Sequence, residues 1–138
     1  METQTLPATY PPSPPSECRY CGADVDLVTH EEFYGQSYDG GGKLYVCTSC
    51  HARVGVHGTG TSHPTDAPLG LLADAELRRL RSAVHEHLDP MWKENPTPRG
   101  EVYTFFFGHM MDLPEHRRHV GMLTKEECRT AIRILKDQ

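Results

Sequence analysis

The sequence feature that most constrains the fold is a pair of Cys-x2-Cys motifs. Cys18 and Cys21 form the first motif, and Cys47 and Cys50 form the second. The short spacing lets two thiolates of one tight turn reach a single ion, and Gly22 relieves the backbone where the first turn must leave the metal. Two such turns supply the four sulfur ligands of a closed tetrahedral Zn²⁺ site, with Zn–S bonds of about 2.3 Å. The sequence therefore predicts one zinc ion bound by these four cysteines.

The alternative is that these cysteines form two disulfides or remain free thiols. A disulfide inside a Cys-x2-Cys turn constrains almost nothing, and the N-terminus lacks the positive and then apolar regions of a signal peptide. No apolar run approaches the roughly 18 residues that cross a bilayer. In a reducing cytoplasm cysteine pairs more often bind metal than form disulfides. We therefore expect a cytoplasmic protein with no membrane partner, in which Cys128 is a small core residue.

The charge balance limits the class of partner. The 138 residues carry a formal net charge of −5, which argues against a protein that coats nucleic acid through charge alone. A local basic patch remains compatible with this balance. The length fits one domain, or a small domain with a tail.

The first 16 residues predict a disordered, proline-rich tail. They contain five prolines and hardly any large apolar side chain, so they cannot bury enough surface to offset the entropy of ordering. A second interpretation is that Pro11–Pro15 docks in an aromatic groove of a partner.

Residues 17–57 predict a zinc ribbon. Val25 and Leu27, with Phe33 and Tyr34 less regularly, indicate one arm of a hairpin, and the glycine-rich residues 39–42 form its turn. The run 43–47 then reads as the return strand that delivers the second cysteine pair, and 53–57 as a further short strand. The apolar content is thin, so we expect the metal to stabilise the ribbon.

Residues 69–137 predict a helical part. Leu77, Leu80, Val84 and Leu88 repeat at helical spacing, and Pro90 ends this helix and opens a short new one with Asp89 as its cap. Residues 101–111 predict a helix with an aromatic face, although the β-prone run 102–107 leaves a strand as the alternative. Thr124 with Glu127 predicts a capping box at the last helix. The expected fold is a single α+β domain over 17–138, in which a small zinc-ribbon β-hairpin sheet packs against about three helices.

After the tail, the chain resembles a zinc-finger-containing family carried mainly by bacteriophages, prophages and bacteria. The matching pieces span roughly residues 17–135 in one order; they are the two cysteine pairs, Val54-Gly55-Val56-His57, Pro68-Leu69-Gly70-Leu71-Leu72-Ala73, Leu77-Arg78-Arg79-Leu80-Arg81 with His85, Asp89-Pro90-Met91-Trp92, His119-Val120-Gly121 and Glu127-Cys128. Phe105-Phe106-Phe107 replaces a Trp-Leu-Ala-like stretch, and Arg118 stands where a cysteine is common. The resemblance implies a zinc site and a phage-linked origin, without an established activity.

Four thiolates leave no open position on the ion, so this zinc is expected to be structural and not a Lewis acid. We predict a binding module that docks on nucleic acid, or on a protein that handles nucleic acid, as an adaptor or inhibitor. The candidate partner-binding residues lie in or just after the cysteine motifs and on one face of the first long helix; they are Arg19, Tyr20, Arg53, Arg78, Arg81 and His85. The competing interpretation is that these charges belong to ordinary solvated faces, or that His85 pairs with Asp89 and fastens its helix.

The alternative function is a small metal-dependent hydrolase or nuclease. Its catalytic residues would be His57, His85, Asp89 and His119, with a histidine as base or as ligand of a second metal. A nuclease of the HNH type also builds a cysteine–zinc frame around a hairpin. It requires a histidine on that hairpin, for which His30 is the candidate, but Glu31-Glu32 follows it where a hydrophobic run is usual.

Overall fold

A computed structural model describes residues 9–36, 42–57, 66–94 and 98–137. The predicted α+β class is confirmed, since the chain combines a small antiparallel sheet with several helices. These elements fall into two compact units, a ribbon unit (Met1–Asp74) and a helical unit (Ala75–Gln138). Parts of two predicted features lie outside the described residues, namely 1–8 of the tail and 39–41 of the hairpin turn.

The ribbon unit contains a three-stranded antiparallel sheet in the order β1–β2–β3. The strands are β1 (Val25–Thr29), β2 (Lys43–Cys47) and β3 (Arg53–Gly55). In β1 and β2, Val25 lies opposite Cys47, so the pairing leads directly into the second cysteine motif. The predicted return strand 43–47 is confirmed, and the predicted strand 53–57 is shorter than expected.

The chain between β1 and β2 forms a short helix, α1 (His30–Tyr34), instead of extending the first arm. The Thr29 hydroxyl accepts from the Glu32 backbone N–H while the Glu32 carboxylate accepts from the Thr29 N–H, which is a capping box. Gly35 ends the helix in the left-handed region at φ 84°. Phe33 and Tyr34 therefore lie on a helix, and assigning them to the strand was wrong because local capping outweighs their β propensity.

One buried cluster of the ribbon unit shares residues with the cysteine motifs. Its buried members are Cys18, Tyr45, Cys47, Ala52, Val54 and Leu72. The segment 66–73 closes this core by pairing with the third strand, because Arg53 and Ala73 exchange two backbone hydrogen bonds of 2.8 and 3.0 Å. Of the predicted tail, residues 9–16 are described and contain no helix or strand, yet the Tyr10 hydroxyl lies 3.1 Å from His57 Nε2.

The helical unit begins with α2 (Ala75–Leu88), whose buried face is Leu77, Val84 and Leu88 as the periodicity predicts. The short α3 (Pro90–Lys93) follows, with Pro90 at its first position. Asp89 does occupy the cap position, but its backbone is helical and its side chain makes no capping bond. The predicted cap function of that carboxylate is therefore wrong, because it turns towards other donors.

The predicted helix over 101–111 is confirmed, and the strand alternative is excluded. It consists of α4 (Arg99–Tyr103) and a π-helix (Thr104–Met110), which continues the chain with i→i+5 hydrogen bonding; the Met111 N–H donates to the Phe106 carbonyl at 3.1 Å. The wider turn buries both Phe106 and Phe107 and leaves Phe105 55% exposed.

The unit ends with α5 (Lys125–Lys136), which packs against α2. The predicted Thr124–Glu127 capping box is present. The buried face of α5 consists of Cys128, Ala131 and Leu135. Two 3₁₀ turns precede it, at Glu115–Arg117 and Val120–Met122. The predicted core role of Cys128 is confirmed, since this side chain is fully buried.

Candidate metal centre

The two cysteine motifs have the same backbone geometry. In the first motif the Cys18 N–H donates to the Ala23 carbonyl at 2.8 Å, and the Cys18 carbonyl accepts from the Gly22 N–H. In the second motif the Cys47 N–H donates to the Ala52 carbonyl at 2.8 Å, and the Cys47 carbonyl accepts from the His51 N–H. Each motif is thus a knuckle, meaning a tight turn that presents two sulfur atoms on one side.

The position that leaves each knuckle needs a left-handed backbone. Gly22 provides it at φ 81°, and His51 occupies the equivalent position at φ 63°. A non-glycine residue is uncommon there. The Gly22 signal is visible in the sequence, whereas the strained role of His51 follows only from matching the two hydrogen-bonding patterns.

The knuckles bring all four cysteine sulfur atoms together. The Sγ atoms of Cys18, Cys21, Cys47 and Cys50 all lie within 4.8 Å of one another, and two pairs across the knuckles are separated by 3.6 Å (Cys18–Cys50) and 3.4 Å (Cys21–Cys47). Tetrahedral zinc with bonds of about 2.3 Å separates its sulfur ligands by roughly 3.8 Å. None of the five cysteines, all within the described ranges, forms a disulfide. The sulfur cluster therefore has the size that a zinc ion requires.

Backbone donors surround the buried sulfur atoms. Cys18 Sγ accepts from the Tyr20 N–H at 3.4 Å, and Cys47 Sγ accepts from the N–H groups of Ser49 and Cys50, also at 3.4 Å. Such hydrogen bonds favour the thiolate, which is the form that binds metal.

The pKa values of two of the cysteines show that the four thiols do not all ionise readily without a metal ion. Burial raises the pKa of Cys47, but the N–H groups of Cys50 and Ser49 and the neighbouring thiols lower it to about 6. Burial raises the pKa of Cys50, and the thiols around it raise it further, to about 12. Thiolates so close together repel each other, so a cation is needed for all four to be ionised.

The comparison with protein families agrees with this donor set. A family model described as a zinc-finger-containing domain matches residues 14–138. The chain belongs to this family. No curated protein and no solved structure matches it significantly.

For this zinc-finger-containing domain, the family and the four-cysteine cluster together point to bound zinc and to a structural zinc module. Within the described ranges, no other group of three or more His, Cys, Asp or Glu donor atoms lies close enough to hold an ion. Across the same ranges, none of the helices combines the length and the apolar character that a membrane span requires.

The first knuckle directs its two candidate partner-binding side chains back onto the ribbon unit. Arg19 Nη1 donates to the Leu72 carbonyl at 3.3 Å, and the Tyr20 hydroxyl donates to the same oxygen at 3.2 Å. The Arg19 guanidinium also lies 5.4 Å from the centre of the Tyr20 ring. These contacts hold the segment 66–73 beside the metal cluster.

Arg53, the third ribbon candidate, lies in an aromatic cluster that the sequence did not indicate. Its guanidinium carbon lies 5.1 Å from the centre of the Phe33 ring and 5.7 Å from that of Tyr34. Arg53 Nε donates to the Tyr34 hydroxyl at 3.2 Å, and Nη1 donates to the His51 carbonyl at 3.1 Å. The His51 ring meets the Phe33 ring edge-on at 5.9 Å. We call these four residues the Arg53 platform.

The three candidate residues on α2 have different surroundings. Arg81 Nη2 donates to the Gly121 carbonyl at 2.7 Å, which ties α2 to the second 3₁₀ turn. His85 Nδ1 lies 3.2 Å from Asp89 Oδ2, the pairing that the competing interpretation anticipated. Arg78 is half-buried at a shallow surface beside Arg79 and Glu86.

Asp89 joins three side chains of the helical unit. Its Oδ1 accepts from Trp92 Nε1 at 3.1 Å and from the Tyr103 hydroxyl at 3.0 Å, while Oδ2 faces His85. Burial raises the pKa of Asp89, but the Trp92 hydrogen bond, the His85 charge and the Tyr103 hydrogen bond lower it below its ordinary value. Burial and the Asp89 carboxylate raise the pKa of Tyr103, with Arg99 opposing them, so its hydroxyl stays a donor at neutral pH.

The residues proposed for a hydrolase lie in both units. His57 belongs to the ribbon unit, while His85, Asp89 and His119 belong to the helical unit. Of the latter three, His85 and Asp89 form a direct pair. His119 is the residue before the second 3₁₀ turn.

Proposed function

We propose that this protein is a structural-zinc module that docks on nucleic acid through its ribbon unit. The observation that carries the proposal is the Arg53 platform, a guanidinium held over two aromatic rings next to the metal cluster. The proposed zinc ligands are Cys18, Cys21, Cys47 and Cys50, which would hold one ion and complete its coordination. The ion would supply the frame of the ribbon, and the contacts with the partner would come from side chains.

The platform has the chemistry that single-stranded nucleic acid requires. Aromatic rings stack on bases of any sequence, and a guanidinium can donate to phosphate oxygens while it lies on a ring. Tyr34 is 42% exposed, and Arg53 forms no ion pair with a carboxylate in the described part of the chain. Its charge is therefore available to an external anion.

Arg53 takes the leading role among the candidate residues. Arg19, Tyr20 and Arg81 donate to backbone carbonyls of their own unit, so their contacts favour a structural role. Arg78 and His85 remain candidates for secondary contacts.

The net charge of −5 makes a protein partner the main competitor, with the module acting as adaptor or inhibitor. We further propose a location in the cytoplasm, of a host cell if the protein is phage-encoded. Cysteines arranged to bind metal support the location, and the motif resemblance supports the phage link.

The test is binding of labelled single-stranded and double-stranded DNA and RNA to the zinc-loaded full chain, followed by fluorescence anisotropy over a range of salt concentrations. We expect single strands to bind more tightly and binding to weaken as salt rises. Arg53→Gln should weaken binding about tenfold or more, because a charge-assisted contact and its stacking partner are lost. The affinity of Arg53→Lys should fall between those of the wild type and Arg53→Gln, because lysine keeps the charge without the planar group.

The matched control is Arg133→Gln, which removes the same charge from an exposed position on α5. Zinc content must be equal in all variants. The proposal fails if the wild type binds no nucleic acid at low salt, or if Arg53→Gln and Arg133→Gln bind equally well. A protein partner that stays bound after nuclease treatment and requires the Arg53 platform would replace nucleic acid in the proposal.

The His85–Asp89 pair is the observation that favours the alternative hydrolase or nuclease. A carboxylate that fixes one imidazole nitrogen leaves the other to act as a base. Metal analysis separates the two functions: one ion per chain agrees with the binding module. A second ion that is lost on His57→Ala or His119→Ala would favour the metal-dependent enzyme.

A further inference from the structure

The helical unit carries an arginine in surroundings that resemble those of Arg53. The guanidinium carbon of Arg99 lies 4.8 Å from the centre of the Tyr103 ring and 5.7 Å from that of Trp92. Arg99 Nη2 donates to the Tyr103 hydroxyl at 3.4 Å, just as Arg53 donates to the hydroxyl of Tyr34. Each unit thus holds one guanidinium on two aromatic rings and one tyrosine hydroxyl.

A second cation lies at the same aromatic group. Lys93 Nζ is 5.5 Å from the centre of the Trp92 ring. In the described ranges neither Lys93 nor Arg99 forms an ion pair, although Glu94 and Glu101 are their near neighbours in sequence. By contrast, Arg117, Lys125 and Arg129 of the same unit each pair with a glutamate. The two cations are exposed and keep most of their donors for an external acceptor.

The carboxylate nearby does not neutralise them. The Asp89 side chain is 16% exposed, and both of its oxygens already accept from Trp92, Tyr103 and His85. Because a carboxylate only accepts, the proton of this contact lies on His85 Nδ1. His85 Nδ1 and Arg99 Nη2 both lie 3.4 Å from the Tyr103 hydroxyl oxygen, so the two groups are on the same cluster.

We propose that Arg99 and Lys93 bind a phosphate group carried by a nucleotide. The planar guanidinium offers paired N–H donors that match phosphate oxygens, and the ammonium adds a second positive charge. Tyr103 and Trp92 hold Arg99 in place, and Asp89 in turn holds Tyr103, Trp92 and His85. The phosphate comes from a free nucleotide or from the end of a nucleic acid strand. The inference stands on contacts within the helical unit and does not need the Arg53 platform.

Trp92 is the only tryptophan in the chain, so its fluorescence reports on this site directly. The experiment titrates the zinc-loaded full chain with inorganic phosphate, adenosine 5′-monophosphate and adenosine, and follows Trp92 emission together with calorimetry. We expect saturable binding of phosphate and of the monophosphate, and none of adenosine. A short oligonucleotide with and without a 5′-phosphate then separates the two sources: tighter binding of the phosphorylated strand than of the mononucleotide identifies a strand end, and the reverse identifies a free nucleotide.

Arg99→Gln should weaken binding of the monophosphate about tenfold or more, because it removes a charge-assisted contact to phosphate. Lys93→Gln, at an exposed side chain, should act in the same direction by a smaller factor and serves as the test if Arg99→Gln fails to fold. Arg133→Gln is the control for the loss of one positive charge. In Arg53→Gln the Trp92 response to the monophosphate should persist even if binding of single strands falls, which separates this site from the proposed function of the ribbon.

Two results would overturn the proposal. One is the absence of saturable binding of any phosphate compound to the wild type, by both emission and calorimetry. The other is a loss on Arg133→Gln as large as the losses on Arg99→Gln and Lys93→Gln, which would mean attraction to overall charge.

Discussion

The ribbon unit and the helical unit bury very different kinds of side chain. In the ribbon unit the side chains that are less than 2% exposed and largest are Pro68, Cys18 and Cys47, and the other buried apolar residues, such as Leu44 and Val46, keep a few per cent of exposure. The helical unit buries Phe106, Phe107, Leu77, Leu88 and Met122 completely. Burying a large apolar side chain stabilises a fold by about 1.5–3 kcal/mol, so the helical unit has more of this source of stability than the ribbon unit. From this comparison we expect the ribbon unit to depend on the ion for a larger share of its stability, and the helical unit to depend mainly on packing.

The strongest test of this difference is removal of the metal. A chelator should unfold the ribbon unit and leave the helical unit folded, because structural zinc contributes on the order of 10 kcal/mol to the folding of such small modules. Backbone amide NMR spectra would show the collapse of the ribbon signals alone. Cys47→Ser should act like the chelator, whereas Cys128→Ala, at a buried cysteine outside the metal cluster, should leave the zinc content unchanged. Loss of both sets of signals together would contradict the comparison.

A cavity in the helical core provides the converse test. Phe106→Ala should lower the free energy of unfolding of the helical unit by about 3–5 kcal/mol, because it removes a fully buried ring. Zinc content and the ribbon signals should not change. The matched control is Phe105→Ala one position earlier, where the ring is 55% exposed and the expected loss is below about 1 kcal/mol. Denaturant unfolding followed by Trp92 fluorescence measures both; equal losses would show that burial does not separate the two positions.

Each unit contains one helix that begins with a capping box, so the two units can be compared by removing each cap. Thr124→Ala should cost the helical unit about 1 kcal/mol in unfolding free energy, because α5 packs against α2 and its first turn contributes to the shared core. Thr29→Ala should instead loosen α1 locally, since none of the residues of that helix is buried. Hydrogen exchange distinguishes global from local opening. Slower local exchange in α1 than in α5 after these substitutions would argue against the comparison.

The smallest expected effect is a pH dependence that belongs to the helical unit. The pKa of Asp89 is lower in the folded chain than its ordinary value of 3.8, so its contribution to stability is complete above that value. As pH falls below 3.8 the unfolded chain takes up the proton first, and the contribution is lost as the pH passes the folded pKa. Unfolding of the helical unit, followed by Trp92 in chelator, should therefore show an acid loss that Asp89→Asn lacks. An identical pH profile in Asp89→Asn would show that Asp89 does not cause the loss of stability in acid.

The features that were predicted correctly are those whose signals are local in sequence. The spacing of each cysteine motif predicts a knuckle, the repeat of Leu77, Val84 and Leu88 predicts the buried face of α2, and Thr124 with Glu127 predicts a cap. The assignment of Phe33 and Tyr34 to a strand was wrong for a local reason as well, since the Thr29–Glu32 capping box starts α1 just before them. The π-helix was not predicted, because i→i+4 and i→i+5 turns place aromatic residues on nearly the same face.

The sequence by itself determined the two cysteine turns, the α+β class and the main helix faces, because each follows from residues a few positions apart. Only the tertiary structure decided how the charged side chains are used. Arg19 and Arg81 donate to distant carbonyls, Asp89 holds Tyr103, and Arg53 and Arg99 lie on aromatic rings. An arginine can satisfy its donors with water, a carbonyl, a carboxylate or a ring, and the choice depends on which groups the fold brings within reach.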